Sequence, residues 1–195
     1  MDDSDFHLVF SADNAYNTIL TSSSSPDSTP LYTIISDPGI DPGSTAFTSI
    51  TKGQEGPELA RWHWRARWRG DLLTYAGAKP VKATSWTAER DLEWKMSKND
   101  GSERGGVLEL FRGKDAAPLA RFVQSAPAAA EPAKLCLLGS ALVDPEFQDA
   151  IVVSFFLQER TRREKEWAAQ LNEANRGPGR WGVPMFSYVG YVGMV

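Results

Sequence analysis

Asp144-Pro145-Glu146-Phe147-Gln148-Asp149-Ala150-Ile151-Val152-Val153-Ser154-Phe155-Phe156-Leu157 decides how this chain folds. Asp144 suits a helix N-cap, because its carboxylate can accept bonds from N–H groups that the first turn leaves free. Pro145 fits the first helical position, and Glu146 suits the positive end of the helix dipole. The run Ile151–Leu157 is then apolar on every side. A surface helix shows an apolar stripe, whereas a helix apolar all round is buried all round. A buried strand competes for so short a run. The cap favours a helix, and so does the unbroken continuation Gln158–Asn172, rich in Glu, Arg, Lys and Ala. Glu159–Arg163 and Arg162–Glu166 sit four apart and can pair weakly on a surface. The expectation is one helix over about 145–172, dry in its first half and wet in its second. Arg176-Gly177-Pro178-Gly179 ends it, and the apolar, Gly-rich tail 181–195 is expected to pack as a late strand or against the rest.

Upstream, residues 6–140 read as short strands between turns. The expected strands are Phe6–Phe10, Tyr16–Leu20, Leu31–Ile35, Phe47–Thr51, Glu58–Arg69, Leu72–Tyr75, Val81–Thr87, Leu92–Met96, Gly106–Arg112, Pro118–Gln124 and Lys134–Leu138. They are rich in β-branched and aromatic residues and bounded by Gly, Pro, Ser, Asn and Asp. Asp37-Pro38-Gly39, Asp41-Pro42-Gly43 and Asn99-Asp100-Gly101 are turn signals. A dry helix needs a surface that surrounds it. The fold expected is therefore mainly β (α+β): one domain over 1–195, an antiparallel β-barrel or strongly curled sheet with the hydrophobic helix near the C-terminus threaded through its middle.

Composition agrees with a globular chain. Of 195 residues, 42% are hydrophobic and 24% charged, enough for a core without disulfides or metal. The net charge of −4 argues against nucleic acid as the main partner. The single cysteine, Cys136, allows no intrachain disulfide and is expected to be a buried, inert thiol between Leu135 and Leu137. The acidic start Met1-Asp2-Asp3-Ser4-Asp5 does not read as a secretory signal, and no run of about 20 apolar residues is present. The cytoplasm is the default location, with unconventional secretion as the alternative.

The most unusual segment is Arg61-Trp62-His63-Trp64-Arg65-Ala66-Arg67-Trp68-Arg69. In a strand, Arg61, His63, Arg65, Arg67 and Arg69 share one face and Trp62, Trp64, Ala66 and Trp68 the other. The plain reading is indoles in the core and arginines in water, paired with acids on neighbouring strands. The sharper reading is an anion- or partner-binding stripe, for a lipid headgroup or an acidic protein surface. His7 and His63 lie on separate expected strands with no metal-ligand spacing, so no metal and no other cofactor is expected. No Gly-x-Ser-x-Gly elbow, phosphate loop or catalytic motif occurs, and the carboxylate pairs Asp71/Glu89 and Asp91/Glu93 carry no weight. Trp167 and Leu171 share a face of the wet helical half and could dock a partner or cover the barrel mouth.

The chain resembles a family of basidiomycete fungal proteins of unknown function over roughly residues 6–167. The resemblance rests on the order of Leu8-Val9-Phe10-Ser11, Asn17-Thr18-Ile19-Leu20, Pro30-Leu31-Tyr32-Thr33-Ile34, Leu59-Ala60-Arg61-Trp62 and Leu92-Glu93-Trp94-Lys95. Leu108-Glu109-Leu110, Leu119-Ala120-Arg121-Phe122 and Asp149–Phe155, running into Glu159–Glu164, complete it. That family is similar in architecture to the tubby-like group, with plant LURP-one-related proteins and phospholipid scramblases. The resemblance implies a closed barrel around a central helix. It also implies a partner, since similar proteins occur as small, non-catalytic subunits of heterodimeric fungal laccases. The expected function is thus non-enzymatic binding or regulation, with a laccase large subunit as candidate partner. The alternative is an anionic-lipid or other anion-binding module using the Arg61–Arg69 face. An enzyme with an unrecognised site is the third reading.

Overall fold

A computed structural model describes residues 6–24, 29–39, 46–64, 70–97, 107–125, 131–142 and 144–174, the side chains of Leu171 and Ala174 aside. Their backbone forms eleven strands in one sheet: β1 (Phe6–Phe10), β2 (Thr18–Ser22), β3 (Pro30–Asp37), β4 (Phe47–Lys52), β5 (Glu58–His63), β6 (Leu72–Tyr75), β7 (Val81–Lys82), β8 (Leu92–Ser97), β9 (Val107–Arg112), β10 (Ala120–Val123) and β11 (Lys134–Leu137). Helix α1 (Ala83–Glu89) lies between β7 and β8, and α2 (Pro145–Ala174) follows a 3₁₀ turn at Gly139–Leu142. Ten of the eleven expected strands appear, Phe6–Phe10 and Leu72–Tyr75 with the ends expected and the others with shifted ends; residues 65–69 of the expected Glu58–Arg69 lie outside the described residues. The expected strand Val81–Thr87 does not appear: only Val81–Lys82 is extended, and the chain then turns into α1.

The hydrogen-bonded order is β7-β6-β5-β4-β3-β2-β1-β11-β10-β9-β8, and every pairing is antiparallel. The sheet is mainly a meander, because each short turn makes sequence neighbours pair. Gly56 permits one such turn, between β4 and β5: a Cβ there would lie 1.8 Å from the Lys52 carbonyl oxygen. β1 and β11 meet in the middle, so the two sheet edges are β7 and β8. They are not paired with each other among the described residues. The sheet is open, and the closed barrel of the sequence reading is not what the pairing shows.

The helix explains why the sheet curls. Asp144 caps it as expected, its Oδ1 accepting from the Glu146 N–H at 2.9 Å. Ala150–Phe156 is buried on all sides. Phe10 of β1 and Phe122 of β10 meet the Phe155 ring at 5.7 and 4.7 Å between centroids. Trp94 of β8 meets the same ring at 5.6 Å. From the other half of the sheet, Tyr32 of β3 donates to Asp149 Oδ1 at 2.8 Å. Strands far apart in the sheet order thus touch one helical segment. An apolar cylinder is best covered by a curved surface, and burying it is the main favourable term. The inner positions Leu8, Leu20, Ile34, Ile50, Leu73, Leu110, Leu135 and Leu137 complete this core.

The short helix α1 has seven residues and no side-chain cap, too few to be stable alone. Trp86 anchors it, buried and 5.0 Å from the Tyr75 ring. That tertiary contact overrides the strand propensity of Thr84 and Thr87. Asp91, with φ of 57°, turns the chain from α1 directly into β8.

Candidate functional site at the open seam of the sheet

The seam between β7 and β8 lies where α2 leaves the sheet. A cleft of about 350 Å³ opens there. One bank is Lys82, Ala83, Thr84 and Thr87 of β7 and α1, the other is Leu92–Trp94 of β8, and the floor includes Trp62, Ser154, Leu157 and Arg160. Trp94 Nε1 donates to Ser154 Oγ at 3.1 Å, and Ser154 Oγ donates to the Ile151 carbonyl at 2.8 Å. These bonds fix the β8 bank to the helix.

Arg160 is the central charge. Its side chain is only 9% exposed, held to Asp71 at 2.7 Å and to Glu164 at 2.8 Å. Its guanidinium lies 4.5 Å over the Trp64 ring, a cation–π contact in a poorly solvated place. Arg160 Nε nevertheless has no hydrogen-bond partner. The indole N–H of Trp62, a residue 0% exposed, has none either. A buried donor left unpaired costs about 1–3 kcal/mol, so two at one cleft call for an explanation. Trp86 Nε1 is also unpaired, but Trp86 does not line this cleft.

Beside the cleft, charges knit α2 to the N-terminal part of the chain. Glu159, 1% exposed, accepts from Arg162 Nε at 2.7 Å and from Arg163 Nε at 2.6 Å. Arg162 also reaches Glu166, and Arg163 reaches the Asp13 carboxylate. Burial works against ionisation of Asp13, but the bonds from Ser125 and Arg163 and the Arg163 charge outweigh it and hold its carboxyl below the usual value. The Glu159 bonds are the first cause raising Arg162, whereas burial opposes and Glu159 raises Arg163, with a net upward shift in both.

At the other end of the helix, buried Asp149 takes Lys52 Nζ at 2.5 Å as well as the Tyr32 hydroxyl. Burial and the Asp149 charge push Tyr32 far up, and the same two causes push Tyr75 up to about 12. Both phenols therefore stay protonated donors. The cluster pins the start of α2, and the sequence reading did not single it out. Its only signal was a carboxylate one residue before an apolar run.

The sequence-derived candidates fare unequally. Arg61 sits on the outer face, bound to Glu58 at 2.6 Å and stacked 4.6 Å over Phe47. His63 lies on the same strand with its ring 6.2 Å from Phe47. Trp62 points into the core, so the alternation holds from Ala60 to His63, while Leu59 and Ala60 are both buried where the β4–β5 register shifts. Arg65, Arg67 and Arg69 lie outside the described residues, as does the tail 181–195. Trp167 is half-buried on α2, and Leu171 lies one turn further along the same helix. The sequence treated Gln158–Asn172 as wet. The structure corrects this for Glu159 and Arg160, which are buried, Glu159 paired with Arg162 and Arg163 and Arg160 with Asp71 and Glu164. Cys136 is a buried thiol. The register sets it opposite both His7 and Arg121, a juxtaposition that the separate strands did not reveal. No group of three potential metal ligands occurs among the described residues. No helix of the described residues is long and apolar enough to cross a membrane.

These features define an open, curled antiparallel sheet around a helix, with a cleft at its seam. The chain belongs to a family of unknown function, DUF6593, whose model matches residues 13–164. No curated protein and no solved structure matches it.

Proposed function

We propose that this protein is a non-enzymatic binding module that holds a partner protein at the face where the seam and the outgoing half of α2 meet. The observation that carries the reading is the seam itself. Among the described residues all other strands are paired on both sides, and only here does the sheet present free edges beside a cleft with unpaired buried donors. Free edges and desolvated aromatic and arginine side chains are what protein interfaces use. The direction of the shifted titrations adds support. Asp13 moves down and Tyr32, Tyr75, Arg162 and Arg163 move up, all away from neutral pH. General acid–base catalysis wants groups tuned toward the working pH instead.

The finer expectations belong to this proposal. The curled sheet around α2 is read as a tubby-like architecture with an open seam, and a laccase large subunit is the first partner to try. Trp167 and Leu171 extend the docking face beyond the cleft. Anionic lipid is the competing occupant, and Arg61 does not favour it, since Glu58 already neutralises that charge.

The test is affinity capture with the native protein, in secreted and intracellular fractions separately, followed by reconstitution with the purified partner. A stoichiometric complex that loses affinity on Trp167→Ala, with the melting temperature kept, supports the reading. Retention of anionic liposomes and no protein complex would replace it with the lipid module.

A further inference from the structure

We propose that two copies of this chain pair through the free edges of β8, antiparallel and centred on Trp94. The inference goes beyond the partner-binding reading and does not rest on it: the second copy takes the β8 edge, and the outgoing face of α2 stays with the partner.

The first observation is the backbone of β8. Leu119 N–H donates to the Leu110 carbonyl, so Leu110 turns its backbone groups toward β10. Leu110 is the register partner of Trp94, so Trp94 turns its N–H and C=O away from β9. Groups on one strand alternate between its two edges, so Leu92 and Met96 turn theirs the same way. Gly113 N–H donates to the Asp91 carbonyl across the β8–β9 pair, which fits this alternation. Among the described residues no strand covers the other side of β8.

The second observation is a difference between the two sheet edges. β7 is two residues long before the chain turns into α1, and so short an edge offers little to pair with. β8 has six residues, no proline and no register shift against β9. Its inner positions Leu92, Trp94 and Met96 carry no charge. The devices that blunt an edge strand are thus missing from β8. Met96, 55% exposed, is one of two large apolar side chains left exposed among the described residues. The cleft sets Thr84 and Thr87 of α1 apart from Leu92–Trp94, and Lys95–Ser97 do not line it.

The third observation is charge, and it selects a second copy as the occupant. Two-fold pairing sets each residue before the centre opposite the residue equally far after it. Centred on Trp94, Glu93 meets the second copy's Lys95, Lys95 meets its Glu93, and Leu92 meets its Met96. A centre on Glu93 or Lys95 sets that charge against itself. A centre on Leu92 sets Glu93 against Asp91, and one on Met96 sets Lys95 against Ser97. Opposite charges across a strand pair stabilise it and like charges destabilise it. Between Leu92 and Met96, Trp94 is therefore the centre at which Glu93 and Lys95 both meet an opposite charge. Within one copy these two already form an ion pair at 3.0 Å, with side chains 63% and 49% exposed. Pairing joins two such ion pairs into one ring of alternating charge, and neither residue gives up its partner.

A single strand edge is a small interface, so the dimer is expected to be weak. The experiment measures sedimentation of the purified full chain from about 1 μM to about 1 mM, with a thermal melt of every variant. Wild type should pass from monomer to dimer within that range. Glu93→Lys and Lys95→Glu each set like charges opposite, and each should dimerise about tenfold more weakly. Mixed together, the two variants are complementary again, and the mixture should dimerise as wild type does. Lys95 also faces Glu109 of β9, so the melt shows what Lys95→Glu costs within one copy. Met96→Pro should abolish the dimer, and because the Met96 N–H faces the free edge, no existing sheet bond is lost. Should Met96→Pro fail to fold, the two charge variants decide. A wild type that stays monomeric, a dimer indifferent to the variants, or a mixture that does not recover overturns the inference. A partner protein captured by a monomeric chain leaves the binding-module reading standing, whereas a dimer that captures no partner removes that reading and keeps this one.

Discussion

The two halves of α2 are held by different physics. Ala150–Phe156 is fixed by area: its side chains are surrounded by inner positions of the sheet, and burial is non-directional. Leu157–Glu166 is fixed by direction: Arg160, Arg162 and Arg163 each bind specific carboxylates, from Asp13, Asp71, Glu159, Glu164 and Glu166. The first half makes the fold stable. The second sets where the helix leaves the sheet, and hence the shape of the seam. Buried ion pairs add little net stability against well-packed apolar groups, but removing one member is costly. The contrast teaches that the charged half specifies geometry while the apolar half supplies energy.

The comparison can be broken most drastically in the first half. Ile151→Asp puts an unpaired charge where Ile151 is fully buried, and the protein should not fold; absence of a cooperative melt checks it. A folded variant would show that the helix is not the core. Phe155→Ala removes a ring that contacts Phe10, Trp94, Phe122 and Phe156 and should cost about 3–5 kcal/mol by denaturant titration. In the second half, Glu159→Gln turns an amide toward two guanidinium groups and should cost about 3 kcal/mol. A loss below that of a surface mutant would mean that the charge network is ornamental.

The smallest effect is a pH dependence. Asp13 ionises more readily when folded, so the unfolded chain binds its proton first as pH falls. Its contribution is whole above the unfolded value near 4 and disappears as pH drops through the lower folded value. Asp13→Asn should flatten that acid limb in a melting-temperature series. An unchanged limb would remove Asp13 from the link between α2 and the N-terminal segment.

Much of this was legible residue by residue. Asp144-Pro145-Glu146 announced the helix start because capping is local chemistry. Ile151–Leu157 announced burial because no face was polar. Trp62 and Arg61 announced opposite faces because a strand alternates. Val81–Thr87 misled, since Trp86 and Tyr75 meet only after folding. Glu159 and Arg160 misled in their burial: their composition said surface, and although their partners on α2 are three or four residues away, Asp71, which meets Arg160, lies 89 residues away in the chain. The seam cleft was invisible, because Trp62, Lys82, Trp94 and Arg160 come from four separate elements.

By itself, then, the sequence determined the strand-rich first part, the capped dry helix and the presence of a surrounding sheet, because propensity, capping and hydrophobic period act between near neighbours. Only the tertiary structure decided that the sheet stays open between β7 and β8, that α1 fills part of the gap, and that two N–H donors are left at the cleft. Those outcomes depend on register and on which distant side chains meet, and no local pattern encodes either.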